Sequence, residues 1–118
     1  MKTILIVEDT ELNIDLITQL LEDDYNLLIA RDGAQAVDMA AGNNPDLILM
    51  DISLPVMDGY EATHKIREMQ QSMPIIGLSA HAMSGDDQKA KEAGCNDYLT
   101  KPVNDELLFD MLKRYLGE

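Results

Sequence analysis

Leu47-Ile48-Leu49-Met50-Asp51 is an apolar run closed by an acid, and it anchors the reading of the whole chain. Its length and branching suit a buried strand. Four further runs of this kind stand at Ile4 to Val7, Leu27 to Ala30, Ile75 to Leu78 and the less apolar Asp97 to Thr100. Between them the apolar residues take helical spacing: Leu12, Leu16, Ile17, Leu20 and Leu21, then Ala36, Val37, Ala40 and Ala41, then Ala62, Ile66 and Met69. The last segment carries the cleanest stripe, with Leu107, Leu108, Met111, Leu112, Tyr115 and Leu116 predicted on one face. Helix starts are marked by a polar cap with an acid or amide three residues on, at Asp32 with Gln35, Asp58 with Glu61, and Ser84 with Asp87. Gly94 has the place of a helix stop.

Strand and helix therefore alternate five times. Right-handed crossovers turn that order into a parallel sheet with helices on both faces, an α/β fold. The 118 residues suit one domain, and 46% hydrophobic residues suffice for a core. In open sheets of this kind, ligands bind beyond the carboxyl ends of the strands, where the strand order reverses.

A formal charge of −13 argues against nucleic acid or an anionic membrane as a partner, since both repel an acidic surface. Cys95 is alone, so no intrachain disulfide forms, and a cytoplasmic setting is expected. The apolar run after Met1-Lys2-Thr3 is too short for an export signal. His64 reads as a solvent-facing helix residue, and no His or Cys spacing suits zinc. Cys95 reads as a packing residue, because no basic residue adjoins it in sequence to lower its pKa. Met57 and Met83 fall on loops near the rim, where they could adapt to a docking partner.

The strand ends carry the chemistry. Glu8 and Asp9 follow the first strand, Asp51 the third, Ser79 the fourth, and Lys101 and Pro102 the fifth. Three carboxylates crowded on one rim repel, so either one is protonated or a cation sits among them. Hard oxygen ligands on a loop rim suit Mg2+, which keeps several waters and leaves room for a phosphate. Lys101 offers a positive charge and Ser79 a hydroxyl donor to phosphoryl oxygens. Asp51, at the end of the central strand, is best placed as a rigidly aimed nucleophile, with Glu8 and Asp9 as metal ligands. Singly, each residue has a plainer reading: a solvated strand end, a helix cap, a surface lysine, a loop hydroxyl. The constellation carries the argument.

Ile6-Val7-Glu8-Asp9, Leu49-Met50-Asp51 through Asp58-Gly59, Leu78-Ser79-Ala80 and Tyr98-Leu99-Thr100-Lys101-Pro102 together resemble the motifs of response-regulator receiver domains, from end to end of the chain. The resemblance implies a flavodoxin-like (βα)5 fold of strand order 2-1-3-4-5, with residues 1–118 forming one receiver domain and no output domain. It implies phosphorylation of Asp51 by a histidine kinase or a histidine phosphotransfer protein, in a phosphorelay. It further implies Mg2+, replaceable by Mn2+, held by Glu8, Asp9, Asp51 and the backbone carbonyl of Ser53, and a Lys101 that pairs with the phosphoryl group.

In the family Ser79 is drawn toward the phosphate while Tyr98 turns inward, coupling the site to the face made by the fourth helix, fifth strand and fifth helix. Ser53 and His81 occupy positions that tune the lifetime of the phosphoryl group. Leu12, Asn13, Pro102 and Val103 fall where partners dock, and the Lys101-Pro102 bond would be cis. Glu8 stands where Asp is commoner, and Ser79 where Thr is commoner. The sequences Ser79 to Met83 and Ala93 to Tyr98 are more similar to receivers of hybrid kinases and single-domain regulators than to those of transcription factors.

Two rivals use other chemistry. Phosphatases with an aspartate nucleophile carry a second acid two residues on, and Ser53 stands there instead, so turnover of phosphomonoesters should be poor. A pure binding module with a dead site is opposed by the intact Glu8, Asp9, Asp51, Ser79 and Lys101. Nucleotide-binding glycine motifs are absent from the sequence.

Overall fold

A computed structural model describes residues 1–52, 54, 57–69, 71–79, 86–101 and 103–117. Five strands and five helices alternate: β1 Thr3–Val7, α1 Glu11–Leu21, β2 Asn26–Ala30, α2 Gly33–Asn43, β3 Leu47–Asp51, α3 Gly59–Glu68, β4 Ile75–Ser79, α4 Asp86–Ala93, β5 Asp97–Thr100 and α5 Asp105–Leu116. All strand pairs are parallel, in the order β2-β1-β3-β4-β5. The chain runs outward from β1 to β2 and then crosses to β3 on the other side. The crevice between the ends of β1 and β3 is thus the topological switch point.

Alternation along the strands builds two cores. Ile4, Ile6, Leu47, Leu49, Ile76 and Leu78 face Ile17 and Leu21 of α1 and Leu108 and Leu112 of α5. Leu5, Val7, Ile48, Met50 and Ile75 face Ala36 and Ala40 of α2, Ala62 and Ile66 of α3, and Ala90 of α4. Every residue of β3 and β4 is buried, as a strand covered on both faces requires.

Two of the expected caps form: Asp32 accepts from the Gln35 amide at 2.8 Å, and Asp58 from the Glu61 amide at 2.9 Å. The Ser84 cap lies outside the described residues. Asn104 caps α5 by accepting from the Leu107 amide at 3.1 Å, a cap the sequence reading did not anticipate. Gly94 ends α4 at φ +117°, a conformation that favours glycine.

The apolar stripes need correction. Leu12 and Leu16 of α1 and Leu107 of α5 are exposed, whereas Ile14 is buried. At 3.6 residues per turn, Leu12 and Leu16 fall on the far side of α1 from the Ile14, Ile17 and Leu21 line that meets the sheet. Apolar spacing counted them together because it does not know where the sheet lies.

Gly59 starts α3 hard against the end of β3. Its amide donates to the Ile52 carbonyl at 2.9 Å, and an added Cβ would overlap the Asp51 carbonyl. Gly59→Ala should therefore destabilise the chain by about 1–3 kcal/mol, the usual cost of overpacking, and shift the backbone at Asp51. Urea unfolding would measure the first effect and amide chemical shifts the second; an unchanged variant would mean that α3 gives way freely.

Candidate functional site

Four strand ends meet at the switch point. The Glu8 amide donates to the Ala30 carbonyl at 2.9 Å, extending β1 by one residue and turning the Glu8 side chain into the protein. Its side chain is fully buried, Asp51 and Ser79 are nearly so, and Asp9 is exposed. One carboxylate oxygen from each of Glu8, Asp9 and Asp51 lies within 4.8 Å of the others. The Lys101 amide donates to the Ser79 carbonyl at 2.6 Å, which draws the end of β5 toward β4. Lys101 Nζ then lies 2.7 Å from Glu8 Oε2 and 3.2 Å from Asp51 Oδ2.

Burial alone would lower the pKa of the Lys101 ammonium. The hydrogen bond to Glu8 and the charges of Asp51 and Glu8 outweigh it and hold the pKa above the ordinary lysine value. Lys101 thus brings one formal positive charge to a cluster of three acids. The set is all hard oxygen, two of its members are preorganised by burial, and the third opens to solvent. That arrangement fits a cation such as Mg2+, which keeps part of its water shell.

From sequence, Lys101 reads as a group for phosphate. Its pairing with Glu8 was not anticipated, and neither were two further donors to Glu8: the Thr10 amide and Asn13 Nδ2, each 3.3 Å from Oε1. Only the fold reveals them, because the turn into α1 folds Asn13 back over the strand end.

Asn13 also lines a groove of about 450 Å³ with Leu16, Leu20, Lys101 and Val103. Leu12 is exposed nearby on α1, and Val103 packs against the core of α1 and α5. Tyr98 is half-buried against the opposite core, which Met57 also joins. The Ser53 carbonyl, His81, Met83, Pro102 and the geometry of the Lys101-Pro102 bond lie outside the described residues.

Two residues outside the rim keep structural roles. His64 is exposed and lies 2.9 Å from Glu68. Cys95 is buried, with Sγ 3.8 Å from Thr63 Oγ1. Burial pushes the Cys95 thiol pKa up and outweighs the downward pull of Thr63 and of Arg67, a basic neighbour that the fold supplies and the sequence does not show.

Comparison with known proteins agrees with this geometry. The family model for the response regulator receiver domain matches residues 4–113. The polar-differentiation response regulator DivK of Brucella ovis is 38% identical over 120 residues, covering 99% of this chain and 98% of the relative. The receiver domain of the sensor histidine kinase PA1611 from Pseudomonas aeruginosa is 42% identical with a TM-score of 0.91, covering 99% of this chain and 98% of that one; its structure holds magnesium in the active site cleft. The Saccharomyces cerevisiae Ssk1 receiver domain, solved with the histidine phosphotransfer protein Ypd1, is 32% identical with a TM-score of 0.91, covering 97% of this chain and 88% of that one. With the strand order, the acidic rim and these matches in agreement, the chain belongs to the response-regulator receiver domains, the phosphoacceptor switches of two-component signalling.

Proposed function

We propose that Asp51 is the phosphoacceptor and that its donor is a phosphohistidine on a histidine kinase or a histidine phosphotransfer protein. The observation that carries this reading is the buried Asp51 carboxylate at the switch point, within reach of Lys101 and clustered with Glu8 and Asp9. An Asp51 carboxylate oxygen attacks phosphorus, the P–N bond to the donor imidazole breaks, and the bond's electron pair leaves with the imidazole. The product is an acyl phosphate, later lost to water. Lys101 contributes by turning its ammonium toward the phosphoryl oxygens, and Ser79 by donating its hydroxyl. Glu8, Asp9, Asp51 and the Ser53 carbonyl would hold Mg2+, with Mn2+ as a substitute. The metal supplies charge neutralisation for the transferring phosphoryl group. The chain's chemistry is phosphotransfer and slow self-hydrolysis, that of a switch rather than a turnover enzyme.

Residues 1–118 act as one receiver unit. A phosphoryl group adds charge and strong acceptors, so nearby donors regroup around it. Movement of Ser79 and an inward turn of Tyr98 would pass that change to α4, β5 and α5. Their strands support this, since Ser79 pairs with Thr100, two residues after Tyr98. Ser53 and His81 would set the lifetime. The donor would dock over Leu12, Asn13, Pro102 and Val103; Leu12 is exposed on α1, and the exposed Leu16 lines the groove with Asn13, Lys101 and Val103. The acidic charge disfavours nucleic acid and anionic membrane as partners, and no described helix is long and apolar enough to cross a membrane. A free thiol at Cys95 accords with the cytoplasm.

Incubation with acetyl phosphate, followed by intact-mass measurement with and without Mg2+, tests the proposal. A Mg2+-dependent, hydroxylamine-labile adduct is the expected result. No adduct under either condition would overturn it and favour a pure binding module.

A further inference from the structure

Glu8 is the longer-armed of the two acids at the end of β1, and its buried carboxylate meets three donors. Lys101 Nζ takes Oε2 at 2.7 Å, whereas the Thr10 amide and Asn13 Nδ2 take Oε1 at 3.3 Å each. Oε2 shares Lys101 with Asp51 Oδ2, so it is the oxygen facing the acidic cluster. Oε1 is tied back toward α1. A glutamate has one more rotatable bond than an aspartate, so holding it in a single geometry costs more side-chain entropy.

We propose that Asn13 is a positioning residue for the divalent-cation site, fixing Oε1 of Glu8 so that Oε2 is presented to the space shared with Asp9 and Asp51. The proposal rests on reading Glu8, Asp9 and Asp51 as that cation site. Asn13 sits in the first turn of a helix fastened by the buried Ile14 and Ile17, and therefore acts from a rigid element. Its amide is neutral. It orients the carboxylate without cancelling the charge a cation needs, which a lysine or arginine at the same place would do. Outer donors of this kind are commonly worth about 10–100-fold in metal affinity.

The test is Mg2+ titration of the intact chain without any phosphodonor, followed by amide chemical shifts, on wild type, Asn13→Ala, Glu8→Asp and the double variant. Asn13→Ala is expected to weaken Mg2+ binding about tenfold. In the Glu8→Asp background the carboxylate is one methylene shorter and withdraws from Asn13, so adding Asn13→Ala should change affinity by less than about twofold. Asn13→Leu, which keeps bulk without a donor, should weaken binding as Ala does. Unchanged affinity in Asn13→Ala would overturn the positioning role, and so would an equal loss in both backgrounds, which would mean a general effect on α1. Failure of the wild-type chain to bind Mg2+ at all would instead overturn the reading of the acidic cluster itself.

Discussion

Asp51→Asn is expected to reduce phosphoryl uptake from acetyl phosphate to background while the chain stays folded. The amide keeps the volume and one acceptor of the carboxylate but lacks the anionic oxygen that attacks phosphorus. Asp51 is buried at the end of β3, so no other carboxylate of the cluster inherits its aim: Glu8 is tied at both oxygens and Asp9 stands in solvent. The stability change should stay within about 1–2 kcal/mol, since the loss of the contact with Lys101 is offset by relief of repulsion among three acids. Intact mass and thermal unfolding, measured on the same sample, separate the two effects. Full Mg2+-dependent labelling of the variant would move the acceptor to another residue.

Lys101→Met is the second large perturbation. It removes the cation between two buried carboxylates and puts nothing in its place. Breaking such a pair typically costs about 3–5 kcal/mol, because the charges left behind stay desolvated. The lower end is expected here, since Thr10 and Asn13 still donate to Glu8. Urea unfolding at neutral pH without divalent ions would measure the loss, and added Mg2+ should recover part of it.

The pH dependence gives an independent check. The folded-state pKa of Lys101 is raised, so its contribution is complete below the ordinary lysine value of about 10.4 and is lost as pH climbs from there through the folded value. Wild-type stability should therefore decline above about pH 10 by an increment that Lys101→Met lacks. Equal stability of the two proteins without Mg2+ would show that the carboxylates take up protons or water instead of depending on Lys101. The variant should also accept phosphoryl groups about 10–100-fold more slowly, the worth of one charge-assisted contact.

Much of the fold was legible in the chain because it rests on local rules. A run such as Leu47 to Asp51 declares a doubly covered strand, and each cap at Asp32 and Asp58 acts within three residues of itself. The α1 stripe failed where a nonlocal fact entered. Leu12 and Leu16 have helical spacing, but only the position of the sheet decides that Ile14, Ile17 and Leu21 face it.

The same division runs through the site. By itself, the sequence determined the residue types at each strand end and the chemistry open to them: three acids, a hydroxyl and an ammonium on one rim. Their order along the chain carried the strand order too, once the motifs were read as a receiver's. Tertiary structure alone decided which partners each group takes. Glu8, Asp51 and Lys101 are scattered along the sequence with no periodicity to set a distance between them, and Asn13, five residues from Glu8, meets it only through the turn into α1. Pairing of β1, β3, β4 and β5 in one sheet brings Lys101 onto Glu8, and the turn into α1 brings Asn13 onto its other oxygen. Hydrogen bonds require contact within about 3.5 Å, and contacts that close between distant residues exist only after the chain has folded.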